Sequence, residues 1–186
     1  MVSIASLWLP ILLSAVFVFF LSWIIHMFLP YHRTDYRKLP SEADLQEALR
    51  KFNIAPGDYL LPCPEGPTGM RSPEYLDKRN KGPVAVMTVM KSGPFNMGKN
   101  LMQWFVYCLI VGVLAAYITG RALPAGTPYL KVFRFAGATA FIGYAVALWQ
   151  DSIWYQRAWS TTVKNSFDGL IYALFTAGTF GWLWPR

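Results

Sequence analysis

Four polar residues stand out because their neighbours are apolar: Gln103, Arg134, Asp151 and Asp168. An ionisable group inside an apolar run is the usual pointer to transport, proton relay or a partner contact. Gln103, Arg134 and Asp168 each lie about one turn inside such a run, close enough to its end for the side chain to reach a membrane interface. They are the expected polar contacts to a substrate or partner. Asp151 and Asp168 are the one pair of carboxylates that acid–base chemistry on a lipid or quinone would use. Lys164 precedes Asp168 by four residues, the weaker order for a helical ion pair. A carboxylate near a helix start also gains from the macrodipole.

Other reactive residue types carry less. His26 and His32 would suit haem or a metal as a pair. Their spacing of six and the intervening Pro30 place them on different helix faces, so no metal or cofactor is expected. Cys63 and Cys108 form no CxxC motif, and they are expected at different membrane depths, unpaired. GxSxG, HExxH, Walker and GxGxxG patterns are absent. No catalytic residue is assigned, and the balance leans away from an enzyme.

The elements that must position these residues are membrane helices. The chain of 186 residues is 54% hydrophobic and 17% aromatic but only 15% charged. Soluble domains carry about 25% charged residues, so this composition excludes an ordinary soluble enzyme. The net charge of +7 does not signal nucleic acid. Residues 31–97 interleave ten basic with eight acidic side chains and so present no dense basic face.

Four runs are long enough to span a bilayer, which takes about 20 apolar residues. They are residues 3–29, 98–120, 129–149 and 164–184. The first has no basic residue before Arg33 and is too long for a signal-peptide core, so it reads as a retained span. Residues 121–128 carry two prolines and a glycine and form a tight turn. Residues 150–163 combine Asp151 and Arg157 with Trp154, Tyr155 and Trp159, an interfacial composition.

The expected fold is therefore an all-α integral membrane protein. One N-terminal transmembrane helix (1–30) packs peripherally. A small mixed α/β cytoplasmic segment (31–97) follows, and three helices form a C-terminal bundle (98–186). Basic residues near span ends are commoner beside 31–97, which places that segment in the cytoplasm and both termini outside. In the segment, Ser41 reads as a helix cap and Ser72-Pro73 as a second helix start. Residues 58–61 and 84–89 read as strands.

Small residues recur at helical spacing on three spans. They are Gly112, Ala116 and Gly120; Ala140 and Gly143; and Gly169, Ala173, Ala177 and Gly181. Such stripes let helix backbones approach closely where no hydrophobic effect drives association. The layout resembles small bacterial inner-membrane proteins with one N-terminal span, a short cytoplasmic segment and a C-terminal bundle. That resemblance covers architecture and implies a bacterial inner-membrane location.

The leading functional expectation is non-enzymatic: an accessory, assembly or scaffold subunit of a larger membrane complex. Its partners would be the lipid bilayer and a membrane protein or a second copy of itself. One alternative is a small oligomeric transporter or channel using Asp168, Arg134 and Gln103. A second is a membrane enzyme using Asp151 and Asp168 on lipid or quinone.

Overall fold

A computed structural model describes residues 1–186. Its main elements are α1 (Trp8–Phe28), α2 (Glu42–Arg50), β1 (Gly57–Leu61), α3 (Pro73–Lys81), β2 (Ala85–Val89), α4 (Met97–Ala122), α5 (Tyr129–Tyr144), α6 (Trp149–Trp154) and α7 (Trp159–Trp182). They fall into two compact units. One comprises Met1–Tyr36 with Asn96–Arg186, and the other comprises Arg37–Phe95.

The first unit is a helix bundle. Three stretches are long and apolar enough to cross a membrane: Ala5–Phe28, Met97–Ala122 and Tyr129–Trp154. Together they fit a multi-pass membrane protein. The run expected as a fourth span forms the 24-residue helix α7, which is not one of these three. Lys164, Asp168 and several Ser and Thr residues occupy its first turns, and by composition it falls short of the other three.

The N-terminal helix is not peripheral. It packs against α4 and α7, burying Ile11, Ser14, Ala15, Val18, Ser22 and Ile25. Its small residues, though few, fall on the buried face, and Gly112 on α4 provides the matching gap. A Cβ on Gly112 would stand 3.3 Å from the Ile11 carbonyl oxygen. The first helix therefore shares one compact unit with α4, α5, α6 and α7.

Small residues also set the approach of α5 to α7. A Cβ on Gly137 would meet the Ala177 Cβ at 3.0 Å. A Cβ on Gly169 would meet the Ala145 Cβ at 2.8 Å and the Tyr144 carbonyl oxygen at 3.2 Å. At that point α5 loses regular geometry: Ala145 has φ −126° and ψ −47°, and a 3-10 turn over Val146–Leu148 leads into α6. The expected interfacial loop at 150–163 is thus partly helical, with a break only between α6 and α7. Ala140, Ala173 and Ala177 are buried beside these contacts, and Ala116 is buried on α4. Gly143 faces Val111, and Gly181 faces the Tyr129 ring.

One end of the bundle gathers both termini and the 121–128 turn. The Val2 N–H donates to the Gly120 carbonyl (2.8 Å), the Gly126 N–H to the Pro185 carbonyl (2.9 Å), and the Trp184 indole N–H to the Pro124 carbonyl (3.0 Å).

In the second unit, β1 and β2 pair antiparallel with Tyr59 opposite Met87. Ser72 caps α3 by accepting from the Tyr75 N–H at 3.2 Å. Ser41 does not cap α2. It sits in the left-handed region at φ 49° and ψ 47°, and its hydroxyl makes no cap bond. A capping side chain needs extended backbone to turn toward the first free amides of the helix.

Candidate functional site

The bundle end opposite the termini holds a polar network. Its assembly starts at Pro30. Proline disfavours helix in the residue before it, and Leu29 is extended at φ −86° and ψ 130°, ending α1. Pro30–Thr34 then form a 3-10 turn. That turn folds the chain back, so the His32 ring stacks on the His26 ring with centroids 4.6 Å apart and planes 7° from parallel. The helix ends between the two histidines, as the intervening Pro30 suggested, and the turn after it brings together rings that their spacing alone would not.

His32 lies between two carboxylates. Its Nδ1 is 2.6 Å from Asp35 Oδ2, and its Nε2 is 2.8 Å from Asp168 Oδ2. The Tyr31 hydroxyl donates to the other Asp168 oxygen. Lys164 reaches back from α7 and donates to the Tyr31 carbonyl (2.6 Å), the Thr34 hydroxyl (2.8 Å) and Asp35 Oδ1 (2.9 Å). An ammonium has three protons, and here each has an acceptor. The helical Lys164–Asp168 pair suggested by spacing is replaced by two longer-range pairs, Lys164–Asp35 and His32–Asp168.

The network is largely withdrawn from solvent. The side chains of Asp168 and Asp35 are 4% and 8% exposed, and that of His32 is 12% exposed. Burial works against ionisation of Asp35, but hydrogen bonds from His32 and Lys164 outweigh it and hold the carboxyl below its usual range. Burial, together with the Asp168 hydrogen bond and charge, pushes the Tyr31 phenol up. Tyr31 therefore stays protonated and serves as a donor.

His26 flanks this core. Its Nδ1 is 2.9 Å from the Ser22 carbonyl oxygen, which can only accept. In the neutral ring the Nδ1 therefore carries the proton, which leaves the lone pair on Nε2. One ligand atom each from His26, His32 and Asp168 lie within 4.8 Å of one another.

Deeper in the bundle, the Trp104 indole N–H donates to the Ser22 hydroxyl at 2.8 Å. Trp104 also packs edge-on against Tyr172, and Tyr172 against Tyr144. The Tyr172 hydroxyl is buried without a hydrogen-bond partner.

The other polar candidates do not join this site. Asp151 is half exposed and faces Arg157 at 3.8 Å, whereas Asp168 is bound by Tyr31 and His32. The two carboxylates have separate partners. Arg134 and Gln103 are exposed on α5 and α4. Of the four polar residues with apolar neighbours, Gln103, Arg134, Asp151 and Asp168, only Asp168 belongs to the network. Tyr31, His32, Asp35 and Lys164 complete it. The available signal was their density of polar atoms at the two span ends, on segments well over 100 residues apart in the chain.

Searches of protein-family models, curated proteins and solved structures return no match for this chain.

Proposed function

We propose that the chain is a non-enzymatic integral membrane subunit that presents Arg37–Phe95 to a partner protein of a larger membrane complex. One observation carries this reading. Throughout Arg37–Phe95, only Pro62 and Tyr75 are buried. Leu45 and Leu49 on α2 and Phe52 in the turn just after it are exposed, as are Leu61, Val84 and Val86 on and beside the hairpin. A unit of this size buries too little to stand firmly alone. Apolar residues at helical spacing on one exposed face are the pattern by which an amphipathic helix docks.

The same reading has the bundle cross the bilayer four times. At 1.5 Å per residue α7 reaches about 36 Å, beyond the roughly 30 Å of a hydrocarbon core. Phe167, Leu170, Leu174 and Phe175 are exposed along it, as a lipid-facing side requires. The polar groups of its first turns, Lys164 and Asp168, are matched within the bundle. Four crossings agree with the termini and the 121–128 turn meeting at one end. The charge bias supports a cytoplasmic side for Arg37–Phe95, in a bacterial inner membrane on this reading.

The test is extraction from native membranes in mild detergent, native mass measurement and identification of what co-purifies. A stoichiometric partner is expected. It should be lost when Leu49→Glu and Phe52→Glu are introduced together, with the bundle still folded because both side chains are already exposed. A lone monomer or homo-oligomer from native membranes would overturn the reading.

A second reading is a small oligomeric transporter or channel. It is favoured by a buried acid, Asp168, paired with His32 at a span end. An Asp168→Asn protein with undiminished flux in vesicles would remove it.

A further inference from the structure

His32 is held between Asp35 and Asp168 with both ring nitrogens within hydrogen-bond distance of a carboxylate. A neutral imidazole has one N–H and satisfies only one of them. The contact between Nε2 and Asp168 Oδ2 needs a positive centre, which is either a proton or a metal ion.

The surroundings are those of ligands prepared for a metal. In metal sites a histidine commonly donates its second ring N–H to a carboxylate or carbonyl, which fixes the tautomer and aims the lone pair. Both histidines here do so, His32 to Asp35 at 2.6 Å and His26 to the Ser22 carbonyl at 2.9 Å. Asp168 is held through its other oxygen by the Tyr31 hydroxyl, which leaves Oδ2 directed at His32. Lys164 keeps Asp35 as an anion. All three candidate ligands thus have an outer partner, and their ligand atoms lie within 4.8 Å of one another.

We propose that His26, His32 and Asp168 bind a divalent transition-metal ion of the Zn²⁺ class at the α1–α7 end of the bundle. Two imidazoles and one carboxylate suit Zn²⁺ and its neighbours rather than Mg²⁺ or Ca²⁺, which take oxygen ligands. Three protein ligands leave a fourth position to water. Ligands about 2.0–2.1 Å from a tetrahedral ion stand roughly 3.3–3.4 Å apart, so the His32–Asp168 contact opens by about half an ångström to admit it. The parallel histidine rings must tilt for both to ligate. His26 is exposed, so its ring can tilt about the Nδ1 hydrogen bond to the Ser22 carbonyl. This site rests on the bundle alone and is independent of the docking role given to Arg37–Phe95.

The test uses the full chain in detergent, stripped with chelator and titrated with Zn²⁺ by calorimetry and with Co²⁺ by visible absorption. One ion per chain is expected, with the intense Co²⁺ bands of a tetrahedral site. His26→Ala is expected to weaken Zn²⁺ binding at least tenfold, and His32→Gln and Asp168→Asn more strongly. Asp35→Asn should cost about 10–100-fold through loss of the outer partner. Asp151→Asn, at the separate Arg157 pair, should bind as the parent does. If His32→Gln or Asp168→Asn fails to fold, His26→Ala carries the test, because that ring is at the surface. Less than one ion bound by the parent chain, or unchanged binding in folded His26→Ala, would overturn the proposal.

Discussion

At the scale of single residues, Lys164 and Asp35 tie the turn after α1 to the start of α7. Removing Lys164 takes its ammonium from Asp35 and removes the hydrogen bonds it donates to the Tyr31 carbonyl, the Thr34 hydroxyl and Asp35 Oδ1. Losing one partner of a buried ion pair costs about 3–5 kcal/mol. The Lys164 side chain is 24% exposed, so Lys164→Met is expected to cost less, about 2–3 kcal/mol. Chemical denaturation in detergent checks this. Lys78→Met, which breaks an exposed pair with Glu74, should leave the curve unchanged. The carboxyl of Asp35 is lower in the folded chain than in the unfolded one. Its contribution is therefore complete above the unfolded value and is lost as pH falls through the folded one. Melting temperature should owe nothing to Asp35 titration between about pH 8 and pH 5 and should drop in stronger acid. Asp35→Asn should be less stable at neutral pH and should lack that part of the acid drop.

At the scale of elements, contacts separate glycines that a stripe pattern treats alike. Gly169 abuts the Tyr144 and Ala145 segment where α5 deforms, with backbone at 3.2 Å from an added Cβ. Backbone cannot swing aside, so Gly169→Ala is expected to cost about 1–3 kcal/mol. Gly181 faces only the ring of Tyr129, which is 46% exposed and able to turn. Gly181→Ala should cost clearly less than Gly169→Ala in the same melting assay. Ala177→Leu, at a fully buried position beside Gly137, should be the most disruptive of the three. Equal melting temperatures for all three would show that close α5–α7 contact does not matter for stability.

At the scale of the whole molecule, the two cysteines report on topology. Cys63 is exposed in Arg37–Phe95, and Cys108 is buried in α4. Under the proposed orientation, a membrane-impermeant maleimide should label Cys63 in inverted vesicles and leave it unlabelled in intact spheroplasts. Cys108→Ser should label identically. Labelling of Cys63 from the outer face would reverse the proposed orientation.

Hydropathy is a local property of consecutive residues, so most helix positions were legible in the chain. The runs at 3–29, 98–120 and 129–149 correspond to Ala5–Phe28, Met97–Ala122 and Tyr129–Trp154. Both strands were legible for the same reason, and the start of α3 was legible from Ser72-Pro73. The packing of α1 was not legible, because a few serines and one alanine look sparse until the facing helix is known. The polar network was not legible either. Its halves lie on Tyr31–Asp35 and Lys164–Asp168, and their meeting depends on the chain reversal at Pro30 and on α1 lying beside α7. Residue types and spacings determined which segments form helices and which of them are apolar. Only the tertiary structure decided which charges meet, because pairing across more than 100 residues is set by how helices pack.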